Sequence, residues 1–272
     1  MITDYHVHLE TGPYTMDWLE EYVRVAKERG ITHLGFSEHA YRFEQSKDIL
    51  LNPWIQERQN QDIEDYINLV QDSKRKGYPV KLGVELDFVP GKEKEIERFI
   101  KDYPWDYVIG SVHWLGDWGF DLTEMAEGWR GKNIIDVYGN YFSIIRELLQ
   151  FGQFDILGHL DVIKVLGHRP EERDQGKLEE LYIELVKVIK ESGMVVELST
   201  AGLRKPVGEI YPSDSLLGKL AARDIPMIIN SDAHHPEHIG FGYDQGIEKL
   251  RSHGIHHIYI FDRRKRTRVP LG

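Results

Sequence analysis

The chain has 272 residues, with 34 Lys and Arg against 45 Asp and Glu, which gives a formal net charge of −11. It contains no cysteine, and this excludes disulfides, thiolate metal sites and cysteine nucleophiles. No apolar run approaches the roughly 20 residues of a membrane span, and the first residues lack a signal-peptide pattern, so we expect a cytoplasmic protein without a membrane partner. The acidic balance argues against nucleic acid as a partner, because duplex binding depends on neutralising phosphates. The one basic run, residues 263–266, is expected to be a solvated tail.

Short apolar or β-branched runs alternate with amphipathic stretches along the whole chain, which predicts alternating strands and helices. The predicted strands cover residues 2–8, 33–37, 80–88, 107–112, 155–158, 194–198, 226–230 and 255–261. Such alternation is typical of parallel strands joined by helical crossovers, and seven or eight units favour a closed barrel over an open sheet. No linker-like composition interrupts the pattern, so we expect one domain over residues 1–272.

Histidine and carboxylate side chains stand at the carboxyl end of six of the first seven predicted strands. They are His6, His8, His39, Glu85, His113, His159, Asp232 and His234. (β/α) barrels keep their active sites at this end of the strands, so we expect these side chains to converge. A packed core histidine explains any one of them, but it does not explain eight such residues on one rim. The pattern therefore predicts a metal centre built from imidazole and carboxylate.

Eight ligands exceed what one ion takes, since zinc takes about four and other divalent metals up to about six. We expect two or three divalent ions, namely zinc, manganese or iron. Glu85 is the candidate bridging ligand, because a carboxylate offers two oxygens. Coordination lowers the pKa of bound water toward about 7, so a bridging hydroxide would be the nucleophile, and paired ions stabilise the charge of a phosphoryl transfer. Arg204 is the candidate for binding the substrate phosphate through its planar fork, with a surface cation as the alternative.

Six short motifs resemble the PHP (polymerase and histidinol phosphatase) superfamily. They are HVH at residues 6–8, SEHA at 37–40, GVELDF at 83–88, GSVH at 110–113, GHLD at 158–161 and SDAH at 231–234. The string TAGLRKPVGEIYPS at residues 200–213 is similar to the histidinol-phosphatase branch. The resemblance runs from residue 4 to about 262. It implies a distorted (β/α)7 TIM-like barrel and a metal-dependent phosphomonoesterase, which would hydrolyse L-histidinol phosphate to L-histidinol and phosphate in histidine biosynthesis.

The resemblance also implies how the ligands divide among the ions. The first ion would take His6, His8, Glu85 and Asp232, the second Glu85, His113 and His159, and the third His39 and His234, while Arg204 would hold the phosphate. The family often has a further histidine in the loop after HxH, but residues 9–14 contain none. Either Glu10 or water fills that place, or the third site is weak or empty.

Three alternatives use the same residues differently. A PHP phosphoesterase of nucleotides or oligonucleotide ends is favoured by the basic run and the altered loop. An amidohydrolase-like C–N hydrolase also has HxH on its first strand, but that group commonly bridges its metals with a modified lysine on strand 4, where this chain has His113. A non-enzymatic metal-binding module leaves the complete ligand set unexplained. We expect a small phosphomonoester as the binding partner, and the sequence leaves the oligomeric state open.

Overall fold

The computed structural model describes residues 1–272 and contains eleven strands and eight helices, numbered in chain order. Seven parallel strands form one sheet. In their order across the sheet these are β1 (Thr3–Asp4), β2 (His33–His39), β3 (Val80–Asp87), β4 (Tyr107–Ser111), β7 (Ile156–Leu157), β8 (Val195–Ser199) and β9 (Met227–Asn230). The first and last strands meet beyond their ends, where Val7 pairs in parallel with Ala233 and His8 N donates to Ala233 O at 2.8 Å. The sheet is thus a nearly closed barrel, which confirms the predicted distorted (β/α)7 architecture.

Helices connect the strands and cover the outside of the barrel. They are α1 (Met16–Glu28), α2 (Pro53–Gln56), α3 (Ile63–Arg75), α4 (Glu93–Asp102), α5 (Ile134–Phe151), α6 (Gln175–Ser192), α7 (Asp214–Ala221) and α8 (Tyr243–Ser252). Local sequence sets several of their ends. The Thr15 side chain caps α1, and Gly193 follows α6 with a φ of 66°, a conformation in which a side chain is strained. None of these helices combines the length and the apolar character needed to cross a bilayer.

A group of buried apolar side chains fills the barrel below the metal-ligand candidates. It consists of Tyr5, Tyr107, Ile109, Ile156, Val195, Ile228 and Phe261. Tyr107 spans the interior, because its hydroxyl lies 2.7 Å from Tyr5 O and 2.9 Å from Phe36 O and shares its one proton between them. Gly83 leaves room for the ring, since a Cβ at Gly83 would lie 2.2 Å from Tyr107 Cζ. This packing closes the amino end of the barrel and leaves its carboxyl end for the polar residues.

The first strand is shorter than the predicted 2–8. The ladder ends at Asp4, because the Asn230 side chain takes over the next backbone group, with Tyr5 N donating to its Oδ1 at 2.7 Å. Val7 rejoins the sheet, and Ser37 N donates to Val7 O at 2.8 Å. His6 and His8 therefore flank an isolated bridge and do not lie in a regular strand.

The eighth predicted strand is not part of the barrel. Strand β10 (His257–Asp262) pairs antiparallel with β11 (Lys265–Pro270), so the barrel has seven strands. Residues 263–266 are not a free tail, because they form the turn of this hairpin and the start of β11, although Arg263, Lys265 and Arg266 are exposed as expected. Arg264 pairs with Asp155, and Arg264 N donates to Asp106 O at 2.8 Å. Both partners precede barrel strands, which places the basic run at the amino end of the barrel.

The remaining two strands, β5 (Trp114–Leu115) and β6 (Trp118–Gly119), form a short hairpin at the carboxyl end of the barrel, where they follow β4 directly.

The prediction of a single domain over residues 1–272 stays a prediction.

Candidate metal centre

All eight predicted ligand residues lie at the carboxyl end of the barrel. His6 and His8 follow β1, His39 ends β2, Glu85 lies near the end of β3, His113 follows β4, His159 follows β7, and Asp232 and His234 follow β9. The strand register brings some of them side by side, since His39 is the partner of Glu85 across β2 and β3. The structure therefore brings all eight predicted ligands together, and Arg204 contacts this group through the backbone of Asp232.

A first group surrounds one oxygen of Glu85. Glu85 Oε2 lies 3.2 Å from His6 Nε2 and 3.6 Å from His8 Nε2. Asp232 Oδ1 lies 3.6 Å and 3.4 Å from the same two nitrogens. Two ligand atoms that are each about 2.1 Å from one tetrahedral zinc ion are roughly 3.4 Å apart. The spacing of this group thus matches that of ligands around a single ion.

A second group surrounds the other oxygen of the same carboxylate. Glu85 Oε1 lies 3.0 Å from His159 Nε2 and 3.5 Å from His113 Nε2. The two imidazole nitrogens are 3.1 Å apart. Glu85 Oε2 thus faces His6, His8 and also His39, whose Nδ1 lies 2.8 Å away, while Oε1 faces His113 and His159. Two separate sets of histidines on the two oxygens are the arrangement that a bridging carboxylate requires.

A third group lies on the open side of the first. Ring nitrogens of His8, His39 and His234 lie within 4.8 Å of one another. Glu10 Oε1 lies 3.5 Å from His234 Nε2, and Arg42 Nη1 donates to Glu10 Oε2 at 3.0 Å. Burial raises the pKa of Glu10, but His39 and His234 outweigh that effect and bring it to about 2. The carboxylate is thus ionised and lies where the loop after HxH lacks a histidine.

The chemistry of the donor atoms suits divalent cations. Four buried atoms in these groups have no hydrogen-bond partner, namely His6 Nε2, His8 Nε2, His39 Nδ1 and Glu85 Oε2. A buried polar atom without a partner is costly in free energy, and cations held between these residues would satisfy all four. Imidazole and carboxylate are ligands that zinc, manganese and iron accept.

Carboxylates behind the imidazoles hold them in place, and the sequence reasoning missed these residues. His6 Nδ1 donates to Glu197 Oε1 at 2.8 Å, and His113 Nδ1 donates to Asp87 Oδ1 at 2.9 Å. Glu38 Oε1 lies 3.5 Å from His8 Nδ1. A carboxylate partner of this kind fixes the ring orientation and strengthens a histidine ligand. One signal was available, since Glu197 is the single charge in the apolar strand Val195–Ser199.

The same carboxylates shift the pKa values of the imidazoles. Burial lowers the pKa of His113, but Asp87 and Glu85 outweigh it and raise it to about 10. For His8, Asp232 and Glu38 likewise outweigh burial and raise the pKa to about 9. His234 differs, because burial and the neighbouring His8 lower its pKa to about 3.

A cavity of about 250 Å³ opens onto the three groups. Its wall includes the aromatic residues Tyr41, Trp54 and Trp114, the carboxylate of Asp121 and the ammonium group of Lys205. Arg204 does not line this cavity. Its Nη2 donates to Ser231 O and to Asp232 O, both at 2.8 Å, and its Nη1 is buried without a partner. Phosphate binding by Arg204 stays a prediction.

Comparisons with known proteins agree with the fold. Residues 4–201 match the PHP domain family. A probable histidinol-phosphatase of Deinococcus radiodurans is 32% identical over 256 residues, which span 93% of this chain and 94% of that protein. The histidinol-phosphatase of Bacillus subtilis is 26% identical over 272 residues, spanning 90% of this chain and 98% of that protein. A crystal structure of histidinol phosphate phosphatase from Lactococcus lactis, in complex with Zn, L-histidinol and phosphate, has a TM-score of 0.78 at 20% identity and covers 98% of each chain.

Proposed function

Since the chain belongs to the PHP domain family, we propose that it is a metal-dependent histidinol-phosphatase. It hydrolyses the phosphomonoester bond of L-histidinol phosphate and releases L-histidinol and inorganic phosphate. The reaction class follows from one observation, namely that the two oxygens of Glu85 face two separate sets of histidines at the floor of an open cavity. The substrate follows from the relatives, of which the Deinococcus protein is 32% identical across nearly its whole length.

The ligand sets that we propose combine the family resemblance with the distances. His6, His8, Glu85 and Asp232 would hold one ion, Glu85, His113 and His159 a second, and His39 and His234 a third. We add Glu10 to the third set, because its oxygen lies at ligand spacing from His234. We propose two or three divalent ions, and zinc is the metal named in the Lactococcus structure.

Divalent ions bound here would supply an acidified water and would neutralise negative charge on the phosphoryl oxygens. The protein's own residues orient the site for this chemistry. Glu197 and Asp87 hold the rings of His6 and His113 through their Nδ1 atoms. Arg204 braces the loop that carries Asp232 and, as we propose, uses its free Nη1 to bind a phosphate oxygen.

The alternatives from the sequence are less well supported. A phosphoesterase of nucleotides or oligonucleotide ends was favoured by the basic run and the altered loop after HxH. Of these, the basic run gives no support, because Arg264 lies at the amino end of the barrel against Asp155, away from the cavity. An amidohydrolase-like enzyme has no support either, because the curated relatives are named as phosphatases. We also propose a cytoplasmic location and a single domain over residues 1–272.

The test is a count of metals per chain combined with an assay of phosphate release. L-Histidinol phosphate is compared with a panel of simple phosphomonoesters and a short oligonucleotide, with and without a chelator. We expect turnover of L-histidinol phosphate at least about a hundredfold above the others, which corresponds to roughly 2.7 kcal/mol of transition-state discrimination, and loss of activity after chelation. Bound metal with an inert L-histidinol phosphate would refute the substrate and leave the metal centre standing.

A further inference from the structure

Asp121 is a partly exposed carboxylate in the cavity wall whose Oδ1 is buried, and it is not among the proposed metal ligands. It follows the β5–β6 hairpin, and its backbone is held from both sides. Trp129 Nε1 donates to Phe120 O at 2.9 Å, and Leu122 N donates to Gly119 O at 3.2 Å. The Phe120 ring is fully buried and packs edge-on against Tyr141. The position of Asp121 is therefore fixed by the fold.

The other carboxylates that line the cavity belong to the proposed metal sites or to an ion pair. Glu85 and Asp232 face the imidazoles, and Glu10 pairs with Arg42. Asp121 Oδ1, by contrast, is buried and accepts no hydrogen bond, although the residue lines the same cavity as His113 and His159. It is thus an oriented acceptor with nothing in the protein to satisfy it.

An ionised carboxylate in this position is costly without a cation. Transfer from water disfavours the charged form, and burial raises the pKa of Asp121 accordingly. A positively charged group on a ligand would recover that cost, because hydrogen bonds to charged groups stabilise more than neutral ones. The carboxylate therefore favours a cationic ligand over a neutral one.

The surrounding wall fits the rest of an imidazole-bearing molecule. Trp54 lies 5.7 Å from Tyr41 and 5.6 Å from Trp114 between ring centroids, and all three line the cavity. Trp114 directly follows His113, so the aromatic wall begins beside the proposed ligands. In an amino-alcohol phosphate, two carbons separate the ester oxygen from the amine, which places the nitrogen within about 3.7 Å of that oxygen. A phosphate at the centre would therefore bring the ammonium group to the adjacent wall.

We propose that Asp121 is a specificity residue that binds the α-ammonium group of the substrate alcohol, while the aromatic wall contacts its imidazole. This inference rests on the proposed function, since it identifies what the same cavity recognises beyond the phosphate.

The test measures binding of L-histidinol to the metal-loaded protein by calorimetry, so that it does not depend on turnover. The ligand is compared with 3-(imidazol-4-yl)propanol, which lacks the amine, and with L-phenylalaninol, which keeps it and lacks the imidazole. The variant is Asp121→Asn. The control is Asp117→Asn, an exposed carboxylate at the tip of the same hairpin.

We expect Asp121→Asn to weaken L-histidinol and L-phenylalaninol roughly tenfold to a hundredfold, the range of a lost charged hydrogen bond. Binding of the deamino alcohol should change less than about threefold, Asp117→Asn should change nothing, and the metal content should stay constant.

Three results would overturn the inference: equal losses for the amine and deamino ligands, a loss confined to the imidazole ligands, or a loss of bound metal in Asp121→Asn. Failure of the proposed function would appear separately, as absent turnover of L-histidinol phosphate in a wild-type protein that still prefers the amine.

Discussion

Replacement of Glu197 by glutamine tests whether the carboxylates behind the histidines control metal affinity. Glu197 accepts three hydrogen bonds, from His6 Nδ1 at 2.8 Å, from Asn230 Nδ2 at 2.7 Å and from His159 N at 2.7 Å. An amide has one acceptor oxygen, so Glu197→Gln must turn its NH2 group toward at least one of these donors. It also removes the negative charge that makes the His6 imidazole a stronger ligand. Loss of such a partner typically weakens metal binding tenfold to a hundredfold, or about 1.4–2.7 kcal/mol.

The assay is competition for zinc against a chromophoric chelator, followed by activity at saturating zinc. We expect the dissociation constant to rise within that range, while activity at saturation falls much less, because the ligands themselves are intact. Glu191→Gln, at an exposed position near the end of α6, controls for the loss of one charge. An unchanged zinc affinity in Glu197→Gln would show that the contact between Glu197 and His6 does not contribute to metal binding.

Three further predictions address protons, the third site and the phosphate. The metal-free protein holds protons on His8 and His113, whose pKa values are about 9 and 10. Zinc binding at pH 7 should therefore release at least these two protons, and zinc affinity should increase as the pH rises. Calorimetry in two buffers of different ionisation enthalpy measures the number of protons released. Glu10→Gln should weaken one ion by about tenfold or more, seen as a lower metal count after dialysis. Arg204→Ala should raise the inhibition constant of inorganic phosphate at least about tenfold with an unchanged metal count.

The eight ligand residues were predictable, because the positions of the strand ends follow from the sequence. Glu85 illustrates this, because a charged residue near the end of a mostly apolar strand is expected at the polar carboxyl end of the barrel and not in its apolar interior. The prediction that Glu85 bridges two ions came from the chemistry of a carboxylate among more ligands than one ion takes. The barrel was predictable for the same reason, as its β and α periods alternate along the chain.

The supporting residues were harder to predict, because their partners come from distant parts of the chain. Glu197 contacts His6, 191 positions away, and only the closed barrel brings them together. Arg42 reaches Glu10 from a loop whose path has no periodic pattern. The short first strand was missed because the Asn230 side chain replaces a backbone partner for Tyr5, which no local pattern indicates.

The charges of the centre give an independent argument for the number of ions. Six carboxylates contact the ligand imidazoles from mostly buried positions, namely Glu10, Glu38, Glu85, Asp87, Glu197 and Asp232. Histidines that bind metal are neutral, and Arg42 compensates one of these charges through its pair with Glu10. The region therefore carries a charge near −5, which lies between the +4 of two divalent ions and the +6 of three. Without metal, the raised pKa values of His6, His8 and His113 supply positive charge as protons. Metal binding and deprotonation are therefore one coupled reaction, because the same carboxylates stabilise either form of positive charge.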